Sequence, residues 1–283
     1  MPYGIANKSG QPDSHLAMAI VEAAWQGGIR QFDTAQGYGD SEKVLGWALH
    51  DLGISNQAQV ISKLDPSLDY MDREAVKSSI HKSLDNLKIS CLHGFMLHRE
   101  EITDHFNEGI IDTLNDFINE GTIKNIGISV YSPERAIQAM QYESIKQIQL
   151  PANILDHRFR SHGVFDFTKQ NKKEIYIRSV FLQGLLLLTG SNIPDQMKFA
   201  KEVLEDLDAF CCENGISRRE LAISYVKCRY PESYVLFGAE TVGQVEDNIV
   251  NWNYTVGEEL MRMIDERYCH VDENIINPLR WLH

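Results

Sequence analysis

Residues 28–53 read GIRQFDTAQGYGDSEKVLGWALHDLG, and their order decides the fold. A short apolar run, RQFDTA, carries Asp33 at its end. Glycines then flank Tyr38, where the backbone must turn sharply and present a ring. The segment SEKVLGWALHDLG follows, with apolar residues three and four apart, Ser41 placed as an N-cap and Gly53 as the stop. A strand that ends, turns and feeds a helix is the start of a strand–helix–strand unit.

Outward from that stretch the same alternation recurs. Further strands are predicted at AQVISKL (58–64), LHGFMLH (92–98), IKNIGISV (123–130), KQIQLPAN (146–153), IYIRSV (175–180) and SYVLFGA (233–239), making seven with RQFDTA (30–35). Helices are predicted after Asp72, Ser132, Ser217 and Thr241. Strand and helix repeating at about thirty residues needs right-handed crossovers and a parallel sheet. The economical solution is an α/β fold of the (β/α)8 TIM-barrel type, one domain over residues 1–283, with 253–283 as C-terminal helix and tail. A doubly wound open sheet is the rival; it calls for GxGxxG after the first strand, and the chain has none there.

Composition fits one globular enzyme-sized domain: 43% hydrophobic, 24% charged, and no linker-like tract. The formal charge of −13 is spread along the chain, which argues against nucleic acid or anionic lipid as partner. The five cysteines lack metal-ligand spacing and read as reduced thiols of a cytoplasmic protein. No signal-peptide pattern or membrane-length apolar run is present.

In a barrel, chemistry gathers at the C-terminal strand ends. Asp33 closes one strand, Tyr38 sits in the loop beyond it, Lys63 closes a second strand and His98 a third. These types suit proton donation to a carbonyl oxygen that is receiving a hydride. A free phenol titrates near 10; a neighbouring ammonium favours the phenolate, an aspartate holds the ammonium, and an imidazole orients the carbonyl. His93 begins the strand that His98 ends and points to the opposite face of a barrel.

The segment FDTAQGYGDSEKVLG resembles the aldo-keto reductase signature, and the strand-end lysine of ISK and histidine of MLH fall where that family keeps its other two catalytic residues. NIGISVYS, QIQLPANILD, IRSVFLQGLL and VLFGAETVGQVEDN resemble its next four strand ends, so the likeness spans nearly the whole chain. The resemblance implies Tyr38 as general acid, Lys63 as the group that lowers its pKa, Asp33 as the partner of Lys63, and His98 as the residue positioning the carbonyl. It implies NADP(H) as cofactor, with NAD(H) the alternative, and a small carbonyl compound, such as a sugar-derived one, as substrate. Ser129 and Gln149 would hold the nicotinamide carboxamide; Val130 stands where the family often has asparagine. Arg178 would stack on the nicotinamide in place of the aromatic ring of many members. Ser179 and its neighbours would line the pyrophosphate, and Gly238, Ala239, Thr241, Gln244 and Asn248 the adenosine.

Two features depart from the family pattern. Members of this branch carry a further strand before the YGIAN that here begins at Tyr3, so the first strand is expected to be missing and the natural start to lie upstream. The resulting strand edges would favour association of copies. From Gly238 to Asn248 there is no lysine or arginine, although NADPH-preferring members often place one there. The alternatives are a catalytically weak coenzyme-binding regulatory or structural protein on the same fold, and a metal-dependent barrel isomerase, for which only Asp33 and His98 are at hand. Trp281 in the tail is a candidate substrate contact.

Overall fold

Every one of the seven stretches predicted as strands contains a strand. The protein, described by a computed structural model over residues 12–281, runs in chain order through α1 (Ser14–Gln26), β1 (Gln31–Asp33), α2 (Ser41–Asp51), β2 (Gln59–Lys63), α3 (Arg73–Leu87), β3 (Gly94–Leu97), α4 (Ile110–Asn119), β4 (Ile126–Ser129), α5 (Pro133–Met140) and β5 (Ile145–Pro151). It continues through α6 (Arg158–Ser161), α7 (Val164–Gln170), β6 (Glu174–Arg178), α8 (Lys201–Glu213), α9 (Arg218–Arg229), β7 (Tyr234–Val235), α10 (Val242–Asn253), α11 (Glu258–Arg267) and α12 (Glu273–Ile276). The sheet order follows the chain, β1 to β7. The expectation of a missing first strand falls on residues outside those described.

The described residues form two compact units. The first takes in Pro12–Leu150 and His162–Tyr176. Its strands β1 to β5 pair in parallel, with Asp33 opposite Ile61, Lys63 opposite Met96, and Ser129 opposite Gln149. β3 and β4 are buried at every position, as strands covered on both faces must be. The helices between them form because their sequences cap and stripe correctly. In α3, Asp72 accepts a hydrogen bond from the Ala75 N–H, and Val76, Ile80, Leu84 and Leu87 recur on one buried face. Each such side chain contributes about 1.5–3 kcal/mol. Gly46 lets α2 lie against the end of α3; a Cβ there would stand 2.2 Å from the Asn86 carbonyl oxygen.

The second unit takes in Pro151–Ser161 and the chain from Ile177 onward. In it the Leu236 N–H donates to the Ile177 carbonyl at 2.8 Å, which seats β7 beside the end of β6. Ser217 and Glu220 form a reciprocal capping box on α9, and Thr241 caps α10 through the Gln244 N–H.

Two expectations are corrected. Helix α2 begins at Ser41, but its cap is Asp40, while the Ser41 hydroxyl bonds to that of Thr34 at 2.8 Å. The C-terminal helix expected from residue 253 starts later: α10 ends at Asn253, Tyr254 caps it in an extended conformation, and α11 begins at Glu258, after Gly257. Gly53 does stop α2, at φ +68°.

Candidate active site

In the first unit the strand ends bring four expected residues into one cluster. Lys63 is fully buried at the end of β2, and its Nζ donates to Asp33 Oδ2 at 2.6 Å and to the Thr34 carbonyl at 2.9 Å. The same ammonium lies 5.3 Å from the centre of the Tyr38 ring. The Tyr38 and His98 rings meet edge to face, with centroids 5.6 Å apart. The other carboxylate oxygen of Asp33 accepts from Gln149 Nε2 at 2.9 Å. Asp33 thus stands between Lys63 and Gln149.

The loop that carries Tyr38 is held along its length. The Gln36 N–H donates to the Lys63 carbonyl at 3.1 Å and the Tyr38 N–H to that of Ala35 at 3.0 Å. The Gln36 side chain reaches Ser83 Oγ and the Ser79 carbonyl of α3 and accepts from the Asp65 N–H. Gly37 is needed for close approach, since a Cβ would come within 3.1 Å of Pro66 and 3.9 Å of His98. Gly39, at φ +61°, completes the turn. Glu42 of α2 is buried, accepting from Ser62 Oγ at 2.6 Å and from Asn86 Nδ2 at 3.1 Å, so α2 is fixed to β2 and α3. Sequence reading missed Gln36 and Glu42; a polar side chain directly after a strand end was the one available signal for Gln36.

Ser129 ends β4, 2% exposed, beside Gln149 of β5. Beyond them the Glu100 carboxylate accepts from the N–H groups of Tyr131 and Ser132 and fixes the turn that follows. Asp65, in the loop after β2, is held below the ordinary carboxylate range chiefly by the Ser67 N–H, then by the Ser67 hydroxyl, with His98 adding a smaller pull.

In the second unit the chain after β6 is strained. Ser179, Leu182 and Gln183 all have positive φ, at 61°, 47° and 53°, although none is glycine. Such backbone is held at a cost and clusters where a ligand or switch needs it. Asn153 Nδ2 donates to the Ser179 carbonyl at 3.1 Å and helps keep it there. Arg178 ends β6, and its Nη1 lies 3.4 Å from Ser179 Oγ. Gly238, Ala239, Thr241 and Gln244 lie between β7 and the first turn of α10, where the Glu240 N–H donates to Gln244 Oε1. Asn248 is 2% exposed and accepts from Arg219 Nη1 at 2.7 Å. Trp281 is packed in the tail, with Nε1 directed at the carbonyls of Asn274 and Ile275.

Residues 3–268 match the Aldo/keto reductase family. The chain belongs to that family. Its similarity to individual members is low but long: 24% identity to the aldo-keto reductase YhdN of Bacillus subtilis, over 86% of this chain and 81% of the relative. Identity to the L-galactose dehydrogenase of Arabidopsis thaliana is 25%, over 93% and 85%. Among solved structures it is similar to the holo form of an aldo-keto reductase from Bacillus halodurans, with TM-score 0.74, 21% identity, and 95% and 91% coverage. It is similar also to an aldo-keto reductase from Klebsiella pneumoniae in complex with NADPH, with TM-score 0.72, 19% identity, and 90% and 85% coverage. The shared fold is the (β/α)8 barrel of the family, and the chain is an oxidoreductase by that membership.

Proposed function

We propose that this family member reduces an aldehyde or ketone to the alcohol with a nicotinamide coenzyme, NADP(H) by preference, and that Asp33, Tyr38, Lys63 and His98 are its catalytic residues. The observation that carries the reading is the buried Lys63 ammonium, paired with Asp33 at 2.6 Å and 5.3 Å from the Tyr38 ring. The NADPH complex of the Klebsiella pneumoniae relative supports the choice of coenzyme.

The coenzyme, when bound, supplies a hydride to the carbonyl carbon. The Tyr38 hydroxyl gives its proton to the carbonyl oxygen as negative charge develops there. Lys63 stabilises the phenolate that remains, because a cation fixed in a low-dielectric site acts more strongly than one in water. Asp33 keeps Lys63 charged and stationary. His98, edge to face with Tyr38, orients the oxygen.

The described residues fit the coenzyme. Asn248 Nδ2 is buried without a hydrogen-bond partner, a donor that an adenine ring nitrogen would satisfy. Among the described residues, apart from the neighbours of Gly238 in the chain, no heavy atom lies within 4 Å of the place a Gly238 Cβ would take. Ser129 and Gln149 would hold the carboxamide; an amide already bonded to Asp33 retains a second N–H and its oxygen for that purpose. Arg178 would stack on the ring, Ser179 would border the pyrophosphate, and Gly238, Ala239, Thr241, Gln244 and Asn248 would hold the adenosine. The test is Tyr38→Phe, followed by carbonyl-dependent NADPH oxidation and by coenzyme titration. Turnover should fall by about 10²–10⁴-fold while the coenzyme Kd stays within about twofold; an unchanged rate refutes the role of Tyr38.

A further inference from the structure

Arg218 and Arg219 are adjacent at the start of α9 and have opposite fates. Arg218 is buried and fully engaged. Its Nε pairs with Asp208 at 2.7 Å, and its remaining nitrogens donate to the carbonyls of Leu186, Leu188 and Leu204. Arg219 is half-buried and has no carboxylate within ion-pair distance among the described residues. Its guanidinium lies over the Phe181 ring, 5.3 Å from the centroid, and its Nη1 donates to Asn248 Oδ1 at 2.7 Å. It also lines a cleft of about 540 Å³ bordered by Thr189, Gly215, Ser217 and Asp208, the last of these held by Arg218.

This placement matters because of what each neighbour does. Phe181 belongs to the strained segment after β6. Asn248 is 2% exposed, and since Arg219 takes its oxygen, the amide is fixed with Nδ2 directed elsewhere, buried and without a partner. A satisfied acceptor beside an unsatisfied buried donor marks a place built for a further group. The segment 238–248 contains no cation. A guanidinium without a carboxylate, fixed by a ring and an amide, is suited to a phosphate through paired N–H donors.

We propose that Arg219 recognises the adenosine 2′-phosphate of the coenzyme in this chain, taking the role left empty in 238–248, while it holds Asn248 as a donor to the adenine. The proposal rests on the nicotinamide-coenzyme reading above and adds to it the residue that sets the choice of NADP(H) over NAD(H). Arg219 comes from α9, a different element from the loop into α10 that carries Gly238 and Thr241.

The experiment uses fragments that differ only in the 2′-phosphate. Calorimetric Kd values are measured for 2′,5′-ADP and 5′-AMP with the full chain, Arg219→Ala and Arg219→Lys. The full chain should bind 2′,5′-ADP at least about tenfold more tightly than 5′-AMP. Arg219→Ala should lose about 10–100-fold for 2′,5′-ADP and no more than about threefold for 5′-AMP, and Arg219→Lys should fall between. Equal losses for both fragments would reduce Arg219 to a support for Asn248 and overturn the proposal, as would an unaffected 2′,5′-ADP affinity. NADPH and NADH binding, followed by tryptophan quenching, separates the two levels. A chain that binds NADPH, with a preference over NADH that survives Arg219→Ala, defeats the inference alone. A folded chain that binds neither coenzyme defeats the coenzyme reading with it.

Discussion

Asp33, Lys63, Tyr38 and His98 have a counterpart in the second unit built from an aspartate, a cation, a tyrosine and a histidine, with arginine in place of lysine: Asp265, Arg160, Tyr225 and His157. There too a cation pairs with an aspartate, Arg160 with Asp265 at 2.5 Å, and an imidazole meets a phenol ring, His157 and Tyr225 stacking at 5.4 Å. The difference lies in where the phenolic proton goes. Tyr225 is fully buried and donates its hydroxyl to Asp265 at 2.7 Å. Burial first, then Tyr230 and Asp265, push that phenol far above its ordinary range. In the first unit the carboxylate is taken by Lys63 and Gln149, and Tyr38 sits half-buried on a turn. An aspartate, a cation, a tyrosine and a histidine therefore make either a structural knot or an acid. What decides is whether the aspartate accepts from the phenol or from the cation and an amide.

Exchanging each phenol for phenylalanine tests that contrast most directly. Tyr38→Phe should lose turnover with an unchanged melting temperature. Tyr225→Phe should keep turnover and lose about 1.5–3 kcal/mol of stability in urea unfolding, the worth of a hydrogen bond to a charged group. A dead Tyr225→Phe enzyme that is fully folded would break the comparison. Next in size, Lys63→Met leaves Asp33 without its cation and should cost about 3–5 kcal/mol, with part of that recovered in the Asp33→Asn/Lys63→Met double variant. Equal stability of the single and double variants would show that the pair is not coupled.

The aspartate of the second cluster should contribute to acid behaviour in unfolding. Burial raises the Asp265 carboxyl, but the hydrogen bonds from Arg160 and Tyr225 and the charge of Arg160 outweigh it, and the net position is below the ordinary range. Its contribution is therefore complete above the unfolded value of about 3.9 and is lost as pH falls through the folded one. Asp265→Asn should flatten this limb in urea titrations, only in part, because Asp206 is lowered in the same way by Arg267. The smallest effect belongs to His157, whose burial lowers it against the opposing pull of Asp265. A histidine kept neutral stabilises fully above about pH 6.5 and less as pH falls through its folded value. His157→Gln should reduce that slope while His93, lowered likewise by burial, retains some of it.

The strand ends were legible in the sequence because each candidate residue closes an apolar run, and position along such a run is local information. Asp33, Lys63 and His98 could be picked out on that ground, and so could all seven strands, although β7 pairs over only Tyr234–Val235. Contacts that depend on reach across the chain were not legible. Arg160 and Asp265 are 105 residues apart, and nothing in either neighbourhood announces the other. In the sequence Arg218 and Arg219 are simply adjacent arginines at a helix start, and only the packing separates them. The C-terminal helix starts later than its apolar spacing suggests, because that spacing continues across residues 254–257 while the backbone turns extended at Tyr254 and Gly257.

Gly46 bears on how such a protein would look in a saturation screen. Any side chain there would run into the backbone of Asn86 and Leu87, at 2.2 and 2.6 Å. A growth selection would score that position as intolerant as Tyr38, although it performs no chemistry. Depletion alone would therefore paint the α2–α3 seam and the reaction centre in one colour. Only a screen that divides activity by the amount of folded protein would pull them apart, with the glycine vanishing from the abundance channel and the tyrosine from the other.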